Sequence, residues 1–206
     1  RVSVGSKYGA QHSQDWCAVV SHIPGLKVVF PATPYDAKGL FRRALTCNDP
    51  VMFLEHREIL SVKGPVPEEE YEIEFGQAKV VREGDHVTVV AIARMVHHTL
   101  SVIDQLAEEG ISVELVDPRT VLPLDTETIR NSVAKTGRLL IVDETFAPCS
   151  VAAQIAAVQA DSGFDDLDAP IKRIHGAFMP TPYSPSLESA VVPDPESILA
   201  AVRDLV

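Results

Sequence analysis

The residues best suited to chemistry in this chain gather near its start. His12 follows a loop, residues 5–11, that carries two glycines, and it stands just before Ser13 and Asp15, residue types that mark helix starts. An imidazole there is expected in a concave region near the positive end of a helix dipole, which favours its neutral form. Such a group can accept or donate a proton during a reaction near neutral pH. On spacing alone, a histidine at a helix start is more often structural. Other candidates carry less. Gly5-Ser6-Lys7-Tyr8-Gly9 is not a nucleophile elbow, because its Ser is one position early and no strand-to-helix turn is centred on it. It also lacks the terminal Gly-Lys-Ser/Thr of a phosphate loop. His97 and His98 are adjacent, and neighbours on a helix point about 100° apart, so they cannot share one ion without a third ligand. They read as surface histidines.

The elements that must position these groups alternate between strand and helix, the pattern of α/β layering. Residues 2–4 read as a strand stub. From His12 an amphipathic stretch runs through Trp16, Val19 and Val20 to a stop at Ile23-Pro24-Gly25. Residues 26–30 form an apolar strand interrupted only by Lys27, the kind a buried parallel sheet prefers. Thr33-Pro34-Tyr35-Asp36 starts a helix, with Thr as cap and Pro in the first helical position. That helix is expected to reach about Thr46 and to bury Ala37, Leu40, Phe41, Ala44 and Leu45. Residues 50–54 are the next strand. The segment is too small to bury itself, so it needs sheet neighbours that the chain lacks.

Gly64, Pro65 and Pro67 then precede Glu68-Glu69-Glu70-Tyr71-Glu72-Ile73-Glu74, and residues 61–77 read as a linker with an exposed acidic edge. Residues 78–206 form a self-contained unit. Strands at 78–82 and 86–93 flank a tight Glu83-Gly84-Asp85 turn, and a helix at 95–109 ends at Gly110. A strand at 111–116, a helix at 125–136 ended by Gly137, and a strand at 138–142 follow. An Ala-rich helix at 150–160, a strand at 171–174 and a helix at 195–205 close the chain. The pattern implies a three-layer α/β domain with a mostly parallel sheet.

Composition narrows the class. The 206 residues are 46% hydrophobic and 23% charged, a globular balance sufficient for a core and for one or two domains. No stretch approaches the ~20 apolar residues of a membrane span, which excludes an integral helical membrane protein. The first residues carry no charged-then-apolar leader and no initiator Met, so a chain cut from something longer is expected. Eighteen basic against 29 acidic residues give a net charge of −11, with no basic cluster beyond Arg42-Arg43, which argues against a nucleic-acid partner. Cys17, Cys47 and Cys149 are odd in number and far apart, as expected of reduced thiols in the cytoplasm.

Tyr8-Gly9-Ala10-Gln11-His12-Ser13-Gln14 resembles the beta subunit of the thiamine diphosphate-dependent 2-oxo acid dehydrogenases, of the pyruvate, branched-chain and acetoin types. So do His22-Ile23-Pro24-Gly25-Leu26-Lys27-Val28-Val29, Pro34-Tyr35-Asp36-Ala37-Lys38-Gly39-Leu40 and Asn48-Asp49-Pro50-Val51. Val116-Asp117-Pro118-Arg119-Thr120, Pro123-Leu124-Asp125, and Pro180-Thr181-Pro182-Tyr183 with Leu187-Glu188 and Pro193 resemble that subunit's transketolase C-terminal domain. Gly84-Asp85 matches the start of the magnesium–diphosphate motif of thiamine enzymes, but the Asn that should follow is absent, and the pair reads as a turn.

The resemblance implies that residues 1–60 are the last part of a pyrimidine-binding domain, 61–77 a linker and 78–206 a transketolase C-terminal domain. It makes His12 the active-site histidine, assisting acyl transfer to a lipoyl disulfide, with Ser13 and Gln14 orienting its loop. It implies thiamine diphosphate with Mg2+, bound mostly by regions outside this chain. A potassium ion is implied at backbone carbonyls of Ala44, Leu45, Cys47 and Asp49, although relatives often carry Asp and Asn at the last two positions. The partners implied are an alpha subunit and a second beta subunit, as alpha2beta2, and a lipoyl-bearing acyltransferase core. Two other readings stand beside this one. The first is a non-catalytic module that pairs subunits and offers an acidic surface to the core. The second is a transketolase or deoxyxylulose phosphate synthase, which the Gln11-His12-Ser13-Gln14 run fits less well.

Overall fold

A computed structural model describes residues 2–5 and 7–206; Arg1 and Ser6, which the motif and domain expectations touch, lie outside the described residues. A single turn, α1 (Gly9–His12), and a short helix, α2 (Cys17–Ser21), precede β1 (Lys27–Val29), α3 (Pro34–Thr46) and β2 (Val51–Phe53). The second half runs β3 (Lys79–Arg82), β4 (Val87–Ala91), α4 (Arg94–Glu108), β5 (Val113–Asp117), β6 (Thr120–Leu122) and α5 (Thr126–Thr136). It continues through β7 (Leu139–Phe146), α6 (Val151–Ser162), β8 (Lys172–Gly176), α7 (Pro185–Ala190) and α8 (Pro195–Leu205). No helix among the described residues is long and apolar enough to cross a membrane.

The larger sheet has the order β3-β5-β4-β7-β8, parallel except for β3. Strand side chains alternate between faces. Val87, Val89 and Ala91 of β4 therefore pack with Met95, Leu106 and Ile198 of α4 and α8, while Val90 packs with Ile129, Val133 and Ile155 of α5 and α6. Both faces are covered, which is why β4 and the first half of β7 read as largely apolar runs. Local signals set the helix ends: Asp125 and Ser150 cap α5 and α6 through their side chains, and Gly137 ends α5 in the left-handed region at φ 70°.

The connection from β3 to β4 departs from the sequence reading. β3 pairs with β5 rather than with β4, so Glu83-Gly84-Asp85 is a crossing segment, not a hairpin turn. Gly84 lies on the backbone of β5, where an added Cβ would stand 2.2 Å from the Val113 carbonyl carbon. Its missing side chain serves close approach between segments.

The smaller sheet has the order β2-β1-β6. α3 begins as expected, with Thr33 Oγ1 accepting the Asp36 amide at 3.1 Å. Leu40 is fully buried, but Phe41 and Leu45 are 52% and 72% exposed, against expectation. The sheet is narrow, so only part of the helix has a layer beneath it. The strand stub at 2–4 is absent; Val2 makes an isolated bridge to His56. The missing sheet neighbour is supplied in part by this same chain, because β6, unforeseen from sequence, leaves the second half and pairs antiparallel with β1.

Residues 61–77 carry no regular structure, yet they are strapped along α3. Ile73 is buried, its amide donates to Gly39, and the Tyr71 hydroxyl donates to the Tyr35 carbonyl at 2.8 Å. The acidic edge meets cations: Arg42 pairs with Glu70 at 2.5 Å and Arg43 with Glu74 at 2.8 Å. Exposed pairs of this kind contribute at most about 1 kcal/mol each. Burying Ile73 contributes about 2 kcal/mol and is the firmer attachment. His97 and His98 are half-buried rather than superficial. His97 Nε2 meets the Ala32 carbonyl at 2.8 Å, and His98 Nδ1 meets that of Pro193 at 3.2 Å, so the two rings serve different segments.

Gly84→Ala is expected to cost about 2–3 kcal/mol, since the new methyl meets main chain that cannot rotate away. Urea unfolding measures this, and a loss under about 0.5 kcal/mol contradicts the close approach.

Candidate active site

His12 is the last residue of α1, not the opening of a helix. The left-handed φ of Gly9, 64°, starts the turn early, and α2 begins only at Cys17. The dipole argument from sequence therefore fails, because the nearest helix end to His12 is a negative one. Asp15 addresses the following helix instead, with Oδ1 accepting the Cys17 amide at 2.7 Å.

The His12 ring is exposed and sits edge-on to Tyr8, with centroids 5.9 Å apart. Arg57 holds this corner: it donates to the His12 carbonyl while its guanidinium lies 5.5 Å from the centre of the Tyr8 ring, a cation–π distance. Neither ring nitrogen of His12 bonds to a described residue, which leaves the imidazole free to exchange a proton with a visitor. Ser13 is buried, and its Oγ donates to Glu188 Oε1 at 3.4 Å. Gln14 closes the turn twice, with Nε2 donating to Ala10 at 3.1 Å and its carbonyl accepting the Ser3 amide at 3.0 Å.

Beneath the loop lies a buried acidic layer that sequence reading missed. The Ser3 hydroxyl donates to Asp15 at 3.0 Å, and the Val4 amide donates to Glu144 at 3.1 Å. Burial first, and the nearby Asp143 charge second, push the Asp15 carboxyl up to about 6. Asp143 is raised too, mainly by burial. Burial acts on Glu144 in the same sense, but the His56 hydrogen bond at 2.8 Å and the charges of His56 and Arg94 outweigh it and hold that carboxyl low. His56 Nδ1 accepts the Glu58 amide at 3.2 Å, so Nε2 is the nitrogen that donates to Glu144. A water-sized cavity of about 30 Å³ separates Asp15 and Ser13 from Glu144 and Thr181. A larger groove of about 730 Å³ opens elsewhere, between α2, β6 and the start of α6, and His12 does not line it.

The four positions proposed for a monovalent cation lie together at the C-terminal end of α3 and in the turn to β2, where the last carbonyls of a helix lack intrahelical partners. Among the described residues, no contact gathers them with His12 into one constellation. Lys27 Nζ stands 3.5 Å from Asp49 Oδ2, placing a positive charge beside that turn. Among the described residues, no three His, Cys, Asp or Glu side chains converge as a metal site. The cysteines are free, and Cys17 is buried with its thiol pushed well up, chiefly by desolvation.

Because folded Asp15 keeps its proton to about pH 6 while the unfolded chain ionises near 3.8, the unfolded state holds fewer protons across that window. Stability from this group therefore falls as pH rises through the window and is level above it. Asp15→Asn removes the linkage, so the variant gains stability relative to the parent from about pH 4 to about pH 6 and keeps a constant offset beyond. Thermal melts over that range check this; an offset independent of pH contradicts it.

Comparison with known proteins supplies the context. Residues 76–198 match the model of the transketolase C-terminal domain, and residues 1–63 match that of the transketolase pyrimidine binding domain. The chain is 47% identical over 201 residues to the Acetoin:2,6-dichlorophenolindophenol oxidoreductase subunit beta of Bacillus subtilis, covering 98% of this chain and 59% of that protein. It is 43% identical to the 2-oxoisovalerate dehydrogenase subunit beta of the same organism, covering 98% and 61%. It is 41% identical to the pyruvate dehydrogenase E1 component subunit beta of Porphyra purpurea, covering 98% and 61%. The chain thus spans about 60% of the length of these relatives. A solved split-gene transketolase, an inactive beta4 tetramer, superposes with a TM-score of 0.79 at 22% identity, covering 95% of this chain and 62% of that one; at this identity the likeness concerns the fold. The chain belongs to the transketolase family, carrying a pyrimidine-binding portion followed by a transketolase C-terminal domain, and it is similar along nearly all its length to beta subunits of 2-oxo acid dehydrogenases.

Proposed function

We propose that this chain is part of the beta subunit of the decarboxylating component of a 2-oxo acid dehydrogenase complex, which releases CO2 from a 2-oxo acid and passes the acyl group to a lipoyl arm. One observation carries the reading: a solvent-facing imidazole with both nitrogens free of described partners, on a turn braced by Glu188 from the second half of the chain and by Arg57 from the first. In this role His12 gives a proton to the lipoyl sulfur that leaves as the disulfide opens, a general-acid task. Ser13 and Gln14 keep the turn in register. Residues 1–60 act as the end of a pyrimidine-binding domain, 61–77 as the connection and 78–206 as the C-terminal domain.

Thiamine diphosphate is the cofactor implied by this reading, and its Mg2+–diphosphate end belongs to polypeptide outside this chain. Potassium would rest on carbonyls of Ala44, Leu45, Cys47 and Asp49. The partners are an alpha subunit and a second beta subunit in an alpha2beta2 assembly. The three free cysteines support a reducing compartment such as the cytoplasm.

A non-catalytic contribution is favoured by charge. With a net charge of −11, the chain can offer an acidic face to a basic segment of the lipoyl-bearing acyltransferase core. Binding of the assembled component to that core is expected to weaken by about ten-fold or more between low and roughly 0.3 M salt. Titration calorimetry measures this, and an affinity indifferent to salt removes the electrostatic reading.

In the complete subunit assembled with its alpha partner, His12→Ala is expected to slow lipoyl acylation by about 100-fold or more. Decarboxylation coupled to an artificial electron acceptor should change several-fold at most. Single-turnover acylation and dye reduction measure the two steps, and equal rates for variant and parent in both refute the role of His12.

A further inference from the structure

The turn that carries His12 is bracketed by one carboxylate. Glu188 lies in α7 with only 3% of its surface exposed, and its Oε1 accepts both the Lys7 amide at 3.2 Å and the Ser13 hydroxyl at 3.4 Å. The first contact stands before α1 and the second immediately after it, so a single oxygen spans the helical turn that presents the imidazole. The residues in and leading up to this turn are not at rest. Ser3, Lys7 and Gly9 all have positive φ, at 74°, 59° and 64°, and for Ser and Lys that conformation is disfavoured unless the surroundings impose it. Lys7 is held there by the Glu188 oxygen, and Ser3 by Asp15 and the Gln14 carbonyl. A Cβ on Gly9 would stand 3.3 Å from the Tyr183 ring in the segment leading into α7, a tight approach at a backbone angle that already favours glycine.

We propose that Glu188 is a positioning residue for the reaction: it aims the His12 imidazole by fixing the backbone on both sides of the turn that bears it. This rests on the acyl-transfer reading above. Glu188 touches neither reacting group, so its influence travels through Ser13 and Lys7. Its place in α7 means that the second half of the chain adjusts a catalytic group carried by the first. Arg57 and Tyr8 grip the other side of the same turn, so losing Glu188 leaves His12 tethered at one side and free to swing.

The test uses the complete subunit assembled with its alpha partner. Glu188→Ala is expected to reduce kcat for lipoyl acylation by about ten-fold, with KM for the 2-oxo acid and the dye-coupled decarboxylation rate within about two-fold of the parent. Glu188→Gln keeps a carbonyl oxygen able to accept from both donors and should restore at least half of the acylation rate. Ser13→Ala, which deletes one donor and leaves α7 intact, should show the same kcat-specific loss and stands in if Glu188→Ala does not fold. Acylation at the parental rate in Glu188→Ala, or equal losses of both half-reactions in Ser13→Ala, overturns the assignment. His12→Ala is run alongside: if it leaves acylation untouched, the acyl-transfer reading fails. If it impairs acylation while Glu188→Ala does not, only the role of Glu188 fails.

Discussion

The structure depends on one act of pairing between the two halves of the chain. β6 leaves the larger sheet after β5 and lies antiparallel on β1, with the Phe30 amide donating to the Arg119 carbonyl at 3.0 Å. At the corner that makes this possible, Arg119 adopts φ 58° and sets its guanidinium 2.7 Å from the carboxylate of Asp36, which is wholly buried in α3. The Arg119 amide donates to Asp117 at 2.9 Å, and burial pushes that carboxyl up to about 7. A buried pair of this kind adds little net stability over apolar packing, but removing one partner strands a charge and costs about 3–5 kcal/mol. Its effect is to specify one geometry.

Everything at the site follows from that geometry. With the halves locked, the C-terminal end of β7 presents Glu144 to the Val4 amide, and α7 presents Glu188 to both flanks of α1. A hydrophobic core runs without a break from Val2, Cys17 and Val28 into Val90, Ile129 and Ile155, so the halves cannot shift independently without opening packed surface. The positive φ of Ser3 and Lys7 is tolerable because fixed acceptors meet them. A loop with so many positive φ angles would relax if those acceptors moved.

The acidic layer under the His12 turn also shows how one kind of side chain takes different states a few residues apart. Glu144 has His56 and Arg94 against it and stays ionised, while Asp15 faces Asp143 and Glu144 and retains its proton to about pH 6. Partner charge decides between them, since desolvation acts on both carboxyls in the same upward sense. The imidazole of His12 bonds to no described carboxylate of this layer and is exposed.

Much was legible from the residues alone. The helix α3 follows from Thr33 as cap, and α5, α6 and α8 from apolar periodicity and their flanking turn residues, because those signals act within one turn of chain. The buried strands β4, β5 and β7 follow from their apolar-rich runs, and the family follows from short motifs in their order. What only the tertiary structure decided is pairing at a distance: β3 beside β5 rather than β4, β6 on β1, residues 61–77 along α3, and Glu188 reaching across 181 positions to the Lys7 amide. No local preference encodes these contacts. β6 is three residues long, and Glu188 looks like any helix-surface glutamate until the chain closes over it. Their partners are chosen by which surfaces remain unburied once the larger sheet has formed, a property of the whole packing that no window of sequence contains.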